Sequence, residues 1–221
     1  MKPIIFCDFD GTITNSDNII EIMKRFAPPE WAGLKDQVLD RSISVKEGVG
    51  KMFSLLPSSK RDDIIRYILS KAEIREGFAE FAAYTEEQGI DLYIVSGGID
   101  FFVYPLLEGI IEKERIYCNL ADFQGERICI KWPNPCDKES GCELECGCCK
   151  PSIIRSLAAS DDEVIVIGDS VTDLEAAKMA DFVIARDYLL EKASEQNLPY
   201  KPFETFYDVI SILESRRVMN R

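Results

Sequence analysis

The chain has 221 residues, 46% hydrophobic and 29% charged, the composition of a globular protein with one ordinary domain plus an insertion, or with two small domains. Its 26 Lys and Arg against 39 Asp and Glu leave a formal charge of −13, which argues against nucleic-acid and anionic-membrane partners but permits a local pocket for a small anion. There is no histidine, so imidazole bases, Ser-His or Cys-His nucleophile pairs and histidine metal sites are excluded.

The N-terminus reads Met1-Lys2-Pro3-Ile4-Ile5-Phe6-Cys7-Asp8, where an acid interrupts the apolar run too early for a signal peptide. No stretch has the apolar length to span a bilayer, and the expected location is the cytoplasm. Residues 3–7 are predicted as a buried strand ending at Asp8. After a Gly11-Thr12 turn, Asp17 is placed to cap a helix with Ile19, Ile20, Met23 and Phe26 at helical spacing, stopped by Pro28-Pro29. A helix from Trp31 to about Val38 follows, then one opened by the capping-box pattern Ser44-Val45-Lys46-Glu47. Another begins after Ser58-Ser59 and carries Ile64, Ile65, Ile68 and Leu69. Residues 14–75 are thus expected to be wholly helical. Phe26, Trp31 and Phe53 read more readily as the core of a helical bundle than as substrate contacts.

The pattern then alternates. A helix through Phe78, Phe81, Ala82 and Tyr84 closes at Gly89, and Asp91–Val95 is a strand ending at Ser96-Gly97-Gly98. A helix through Phe101, Phe102, Leu106, Leu107 and Ile110 comes next, and residues 116–132 read as a hairpin around Gln124-Gly125. Helix Ile153–Ala158, strand Val164–Ile167 running into Gly168-Asp169, helix Thr172–Met179 and strand Phe182–Ala185 follow. Strands separated by helices predict an α/β fold with a parallel sheet, because parallel neighbours need crossover connections.

In such a sheet the ligand crevice lies outside the carboxyl ends of the strands. Three strands end there in polar residues: Asp8 and Asp10, then Ser96 with its glycines, then Asp169 and Asp173. Any one of them could be a turn or cap residue; three strands of one sheet, with Lys150, point to a shared site. Asp8, Asp10 and Asp169 offer the hard oxygen ligands that suit Mg²⁺. An aspartate can attack phosphorus, and a lysine, a serine hydroxyl and the Gly97 amide can neutralise phosphoryl oxygens. A second carboxylate two residues on can protonate the leaving oxygen and later deprotonate a water.

Asp8-Phe9-Asp10-Gly11-Thr12, Ser96-Gly97-Gly98, Lys150-Pro151 and Gly168-Asp169-Ser170-Val171-Thr172-Asp173 together resemble, in order, the four motifs of the haloacid dehalogenase superfamily. The resemblance implies a Rossmann-like core over 1–13 and 76–221, with residues 14–75 as a small helical cap of the phosphoserine-phosphatase branch. It also implies a Mg²⁺-dependent phosphatase working through an aspartyl-phosphate. Asp8 would be the nucleophile and Asp10 the general acid and base. Thr12, Ser96, Gly97 and Lys150 would bind the phosphoryl group. Asp8, Asp169 and the Asp10 carbonyl would hold Mg²⁺, with Asp173 behind Asp169 and Lys150. The cap would be a lid that excludes water.

For the substrate, phosphoserine phosphatases carry a carboxylate-binding arginine just before an apolar-Ser-Leu-Leu run. Here the run is Phe53-Ser54-Leu55-Leu56 and the matching residue is Met52, which suits a thioether or alkyl tail better than a carboxylate. Lys51 next to it could compensate. Along Phe26–Trp31, Ser96–Gly109 and Cys146–Pro151 the chain closely resembles a narrower bacterial family, the methionine-salvage phosphatases acting on 2-hydroxy-3-keto-5-methylthiopentenyl-1-phosphate. That family is the expectation. Phosphoserine is one alternative and phosphocholine or phosphoethanolamine another, with Asp17 and Trp31 as ammonium-binding groups. A phosphomutase shares the motifs. A non-catalytic receiver or zinc-loop binding protein is the rival of another class, opposed by the presence of Asp8, Asp10, Lys150 and Asp169 together. The expected partner is a small phosphate monoester, with no nucleic acid and no membrane, and the protein a monomer or homodimer.

Of the eight cysteines, Cys7, Cys118 and Cys129 fall in strand-like surroundings and read as buried free thiols. The loop 134–149 holds Cys136, Cys142, Cys146, Cys148 and Cys149, for which structural Zn²⁺, a disulfide and plain thiols all stay open.

Overall fold

The structure, a computed structural model, describes residues 2–137 and 145–219. Its centre is β1 (Lys2–Cys7), whose Ile4, Ile5, Phe6 and Cys7 are all buried. Ile5 and Cys7 join one apolar cluster with Phe81, Phe102 and Phe206, whereas Ile4 and Phe6 join another with Ile153 and Val166. A strand covered on both faces needs an unbroken apolar run, and this one has it.

Four helices follow: α1 (Asn18–Phe26), α2 (Trp31–Leu39), α3 (Val45–Ser54) and α4 (Arg61–Lys71). Asp17 caps α1 through the Ile20 amide at 3.0 Å, and Ser44 caps α3 through the Glu47 amide at 3.1 Å. The chain enters and leaves this helical block through an antiparallel neck. The Asn15 amide donates to the Glu73 carbonyl at 3.0 Å and the Arg75 amide to the Ile13 carbonyl at 2.7 Å. Phe53 of the block is fully buried and Phe26 and Trp31 are partly buried against the same cluster, in line with the bundle-core reading.

The remainder is α5 (Phe78–Glu87), β2 (Asp91–Ile99), α6 (Asp100–Leu107), β3 (Ile116–Asp122), β4 (Cys129–Lys131), α7 (Lys150–Leu157), β5 (Asp162–Gly168), α8 (Leu174–Ala177), β6 (Phe182–Ala185), α9 (Asp187–Glu195), β7 (Tyr200–Pro202) and α10 (Phe206–Met219). The sheet order is β4-β3-β2-β1-β5-β6-β7, parallel except where β4 returns antiparallel to β3. This is the α/β fold expected. Cys7 lies opposite Ile94 of β2 and Ile167 of β5, so the carboxyl ends of the three strands are level.

Several local expectations are corrected. Strand β2 runs on to Ile99, because the register shifts between Val95 and Ile99 and pairing with Asn119 resumes past the two glycines. The helix expected over Thr172–Met179 is a 3₁₀ turn, Val171–Asp173, followed by the single turn α8, since Asp173 folds back on the Ser170 amide at 2.9 Å. Cys129, expected to be buried, is exposed on the edge strand β4. The elements beyond Ala185 had no counterpart in the sequence reading.

The hairpin β3–β4 reaches the helical block. The Ser58 amide donates to Glu126 O at 2.9 Å, the Ile128 amide to Leu56 O at 3.1 Å, and the Arg127 guanidinium to Leu55 O at 2.7 Å. At the neck, buried Arg75 donates to the carbonyls of Thr12 (2.7 Å), Gly11 (2.8 Å), Thr14 (3.4 Å) and Glu204 (3.3 Å). Arg75→Met removes these donors and leaves buried carbonyls unpaired, and urea unfolding should show a loss of about 3 kcal/mol. A loss below about 1 kcal/mol would mean that water replaces the guanidinium there.

Candidate active site

The loop after β1 carries the two acids. The Asp8 amide donates to Ile167 O at 2.9 Å, which continues the β1–β5 pairing and fixes the first acid at the strand end. Gly11 then turns the chain with φ +82°, in the left-handed region. A Cβ there would come 2.5 Å from Asp169 Oδ2, so only glycine lets the loop lie against that carboxylate.

Lys150, the first residue of α7, is buried between two acids. Its Nζ is 2.7 Å from Asp8 Oδ1 and in closer contact still with Asp173 Oδ1. Burial works against the ammonium, but the charges and hydrogen bonds of Asp173 and Asp8 outweigh it and hold its pKa above the ordinary value. Asp173 is fully engaged: its Oδ2 also accepts from the amides of Asp169 (3.2 Å) and Ser170 (2.9 Å) and from the Ser170 hydroxyl (3.0 Å). Asp169 Oδ1 accepts the Thr12 hydroxyl at 2.6 Å. Thr12, expected to touch phosphate, therefore spends its hydroxyl proton on Asp169.

Asp10 faces the other way. Its Oδ1 accepts from the Asn18 amide at 3.0 Å and from Asn18 Nδ2 at 2.7 Å. A Cβ placed on Gly98 would lie 2.8 Å from Asp10 Oδ2 and 2.9 Å from Ser96 Oγ, so the second acid stands beside the serine. Ser96 is fully buried and its Oγ accepts the Gly98 amide at 2.8 Å, leaving its proton to give. Asn119 of β3 donates to Gly97 O at 2.9 Å and fixes the glycine bulge. Asn18, Asn119 and Arg75 had not been singled out in the sequence.

The acids carry more negative charge than Lys150 matches. Burial pushes the Asp8 carboxyl well up, Asp173 and Asp169 push the same way, and Lys150 opposes them. Burial, then the Asp17 charge, raise Asp10 to about 7 against the hydrogen bonds from Asn18. Burial and Asp173 raise Asp169 to about 6. Carboxylate oxygens of Asp8, Asp169 and Asp173 lie within 4.8 Å of one another. A hard divalent cation fits this donor set and its excess charge. With Asp173 already engaged, the ligands it would use are Asp8 and Asp169; the Asp10 carboxylate is not in the group.

The other expected site residues serve other contacts. Asp17 is occupied as the α1 cap, and Met52 is buried on α3 among the apolar residues of the main cluster. In the cysteine loop, Cys136, Cys146 and Cys149 bring their sulfurs together. Cys148, expected with them, instead points its thiol at Tyr117 O at 3.6 Å, and Cys142 lies outside the described residues.

A Rossmann-like sheet with acids and a serine at three strand ends, and a lysine at the start of α7, defines the class. The haloacid dehalogenase-like hydrolase family model matches residues 5–178, and the chain belongs to that family. Members that are phosphatases use Mg²⁺, which agrees with the donor set. Two relatives are named 2-hydroxy-3-keto-5-methylthiopentenyl-1-phosphate phosphatase. The one from Geobacillus thermodenitrificans is 60% identical over 98% of this chain and 97% of its own. The one from Geobacillus kaustophilus is 62% identical with the same coverage. Among solved structures, a substrate-bound phosphoserine phosphatase superposes with a TM-score of 0.68 at 18% identity, covering 96% of this chain and 98% of its own, which shows the shared fold. Like them, this chain is a phosphatase. Among the described residues, no helix is long and apolar enough to cross a membrane.

The charge excess sets a pH-dependent stability. Asp8, Asp10 and Asp169 have raised pKa values in the folded, metal-free protein, so between about pH 4 and 7 it binds more protons than the unfolded chain. The stabilising contribution of Asp10 and Asp169 is complete below about pH 4 and fades as pH rises through 6 to 7. Mg²⁺ binds the ionised forms, so the gap between melting temperatures with Mg²⁺ and with a chelator should widen from pH 5 to pH 7.5 and shrink in Asp169→Asn. A gap that stays level with pH would show that the cation binds elsewhere.

Proposed function

We propose that the chain hydrolyses 2-hydroxy-3-keto-5-methylthiopentenyl-1-phosphate to 1,2-dihydroxy-3-keto-5-methylthiopentene and phosphate, in the cytoplasm, as a step of methionine salvage. The observation that carries the reaction class is Asp8 held by Lys150, with a second acid two residues on, Asp10, standing beside Ser96. The near-full-length identity to relatives of that name carries the substrate.

In this reading an oxygen of Asp8 attacks the phosphorus, and Lys150 orients that carboxylate and favours its ionised form against burial. Ser96 and the Gly97 amide bind the phosphoryl oxygens. As the bond from phosphorus to the enol oxygen breaks, Asp10 gives that oxygen its proton. A water then attacks the phosphorus of the aspartyl-phosphate; Asp10 takes the water's proton and Asp8 is released. When bound by Asp8, Asp169 and the Asp10 carbonyl, Mg²⁺ supplies positive charge to the phosphoryl oxygens. The helical block of 14–75 acts as the lid that keeps water out until the intermediate has formed.

Met52 offers a substrate carboxylate no cation. The residue is 4% exposed in an apolar cluster, and Lys51, the neighbour that could have replaced an arginine, pairs with Glu47 at 2.6 Å on the outer face of α3. The ammonium alternative loses its groups too: Asp17 is spent on its cap, and Trp31 has Lys35 over its ring at 5.9 Å.

Asp8→Asn should abolish phosphate release, and Asp10→Asn should lower kcat by about 10²–10⁴-fold, both with unchanged circular dichroism. The specificity test is kcat/KM on the methylthio enol phosphate beside phosphoserine and phosphocholine. Preference for either of the latter would refute the substrate while leaving the phosphatase standing.

Asp10 must carry its proton for the first step, so kcat/KM should fall as pH rises through its pKa. The hydrogen bonds from Asn18 lower that pKa, and Asn18→Ala should move the alkaline limb of the profile to higher pH. A limb that moves to lower pH in that variant would assign the titration to another group.

A further inference from the structure

The segment leading into Lys150 holds a second cluster of reactive groups that phosphate hydrolysis does not use. The sulfurs of Cys136, Cys146 and Cys149 all lie within 4.8 Å of one another, and those of Cys136 and Cys146 are 4.0 Å apart. A disulfide needs about 2.05 Å. Sulfurs at the corners of a tetrahedron around zinc, each about 2.3 Å from the ion, are about 3.8 Å apart. The Cys136–Cys146 separation is close to that tetrahedron edge, and the other two separations, under 4.8 Å, are within reach of one ion.

The backbone builds this convergence. Asn134 pairs with Cys148 in a parallel bridge, and the Cys149 amide donates to Asn134 O at 2.9 Å, which sets the Cys136 strand beside the 146–149 turn. Gly147 makes the turn with φ +82° while Trp132 lies across it. The turn sends neighbouring side chains to opposite sides: Cys148 goes to the Tyr117 carbonyl, and Cys146 and Cys149 go to Cys136. Cys146 and Cys149 are buried and Cys136 is half-buried, so the three sulfurs form a pocket closed on the protein side.

We propose that Cys136, Cys146 and Cys149 bind a zinc ion as thiolates, with the fourth position taken by a further donor. Binding releases the three thiol protons to solvent, and no oxidant or reductant is involved. The donor sets keep two metals apart: thiolates select zinc, and the carboxylates around Asp8 select a hard ion such as Mg²⁺. The zinc site stands independently of the phosphatase assignment. It adjoins catalytic Lys150 through Cys149, and it touches the helical block, whose Lys46 amide donates to Glu145 O at 3.0 Å.

The test is metal analysis of the untagged full chain, prepared under reducing conditions and dialysed against Zn²⁺ and then metal-free buffer. About one zinc per chain is expected in wild type, in Cys129→Ser and in Asp8→Asn, and less than about a tenth of that in Cys146→Ser and Cys149→Ser. Asp8→Asn keeps its zinc while losing turnover, so the two readings fail separately. Should the cysteine variants not fold, Co²⁺ added to the metal-depleted wild-type chain gives the second readout. Intense thiolate-to-cobalt charge transfer with tetrahedral ligand-field bands, displaced by Zn²⁺, supports the site. Wild type that retains no zinc and gives no such spectrum overturns it. So does a Cys136–Cys146 disulfide found by peptide mapping of the reduced preparation, or copper or iron bound in place of zinc.

Discussion

Everything at the site depends on one buried ammonium. Lys150 sits between Asp8 and Asp173, which arrive on separate segments, the end of β1 and the turn after β5. A buried charge is costly unless paired and further hydrogen-bonded. Asp173 meets that condition by gathering two amides and a hydroxyl on its other oxygen, which in turn fixes the loop bearing Asp169. One cation therefore sets the distance between Asp8 and the loop that carries Asp169. It does not balance the acids, and that shortfall suits a phosphatase. Burial and the nearby Asp17 charge raise Asp10 to about 7, where a carboxyl can both give and accept a proton at neutral pH.

The division of labour between Asp8 and Asp10 shows how environment separates two like residues. They are two positions apart on one loop, yet Asp8 points to the lysine and Asp10 to Asn18 and the Ser96 bulge. The first is held by a cation. The second receives only neutral donors and feels Asp17 nearby.

The catalytic framework was legible in the sequence because a parallel sheet brings strand ends together whatever lies between them. The apolar runs at Ile4–Cys7 and Val164–Ile167 identified the strands, and the acids just past them needed no further information. What escaped was contact without local pattern. Arg75 grips carbonyls more than sixty residues earlier, and nothing in its helix-exit position announces that. Asn18 follows a helix cap and Asn119 lies on a strand of a hairpin, positions where a polar residue has no distinctive pattern. The cysteines failed for a related reason. Regular elements have a period from which faces can be read, but the turn at Gly147 has none, so which sulfurs share a side could not be told. Helix α8 was overestimated because Asp173, apparently a helical residue, is bent back to serve Ser170 and Lys150.

The hairpin bonds from Glu126–Ile128 to Leu55–Ser58 give the helical block a second mooring, away from the neck at Ile13–Asn15 and Glu73–Arg75. A body tied at one place can swing; a body tied also here, and by the Lys46 amide to Glu145 O, must either peel or carry part of the sheet edge with it. Peeling breaks three hydrogen bonds to backbone carbonyls at once, which makes it a small cooperative unfolding event rather than a hinge rotation. Carrying the edge instead bends β3, and with it Asn119, the residue that holds the Gly97 bulge. Along that second route, moving the helical block and loosening the Gly97 bulge are the same motion.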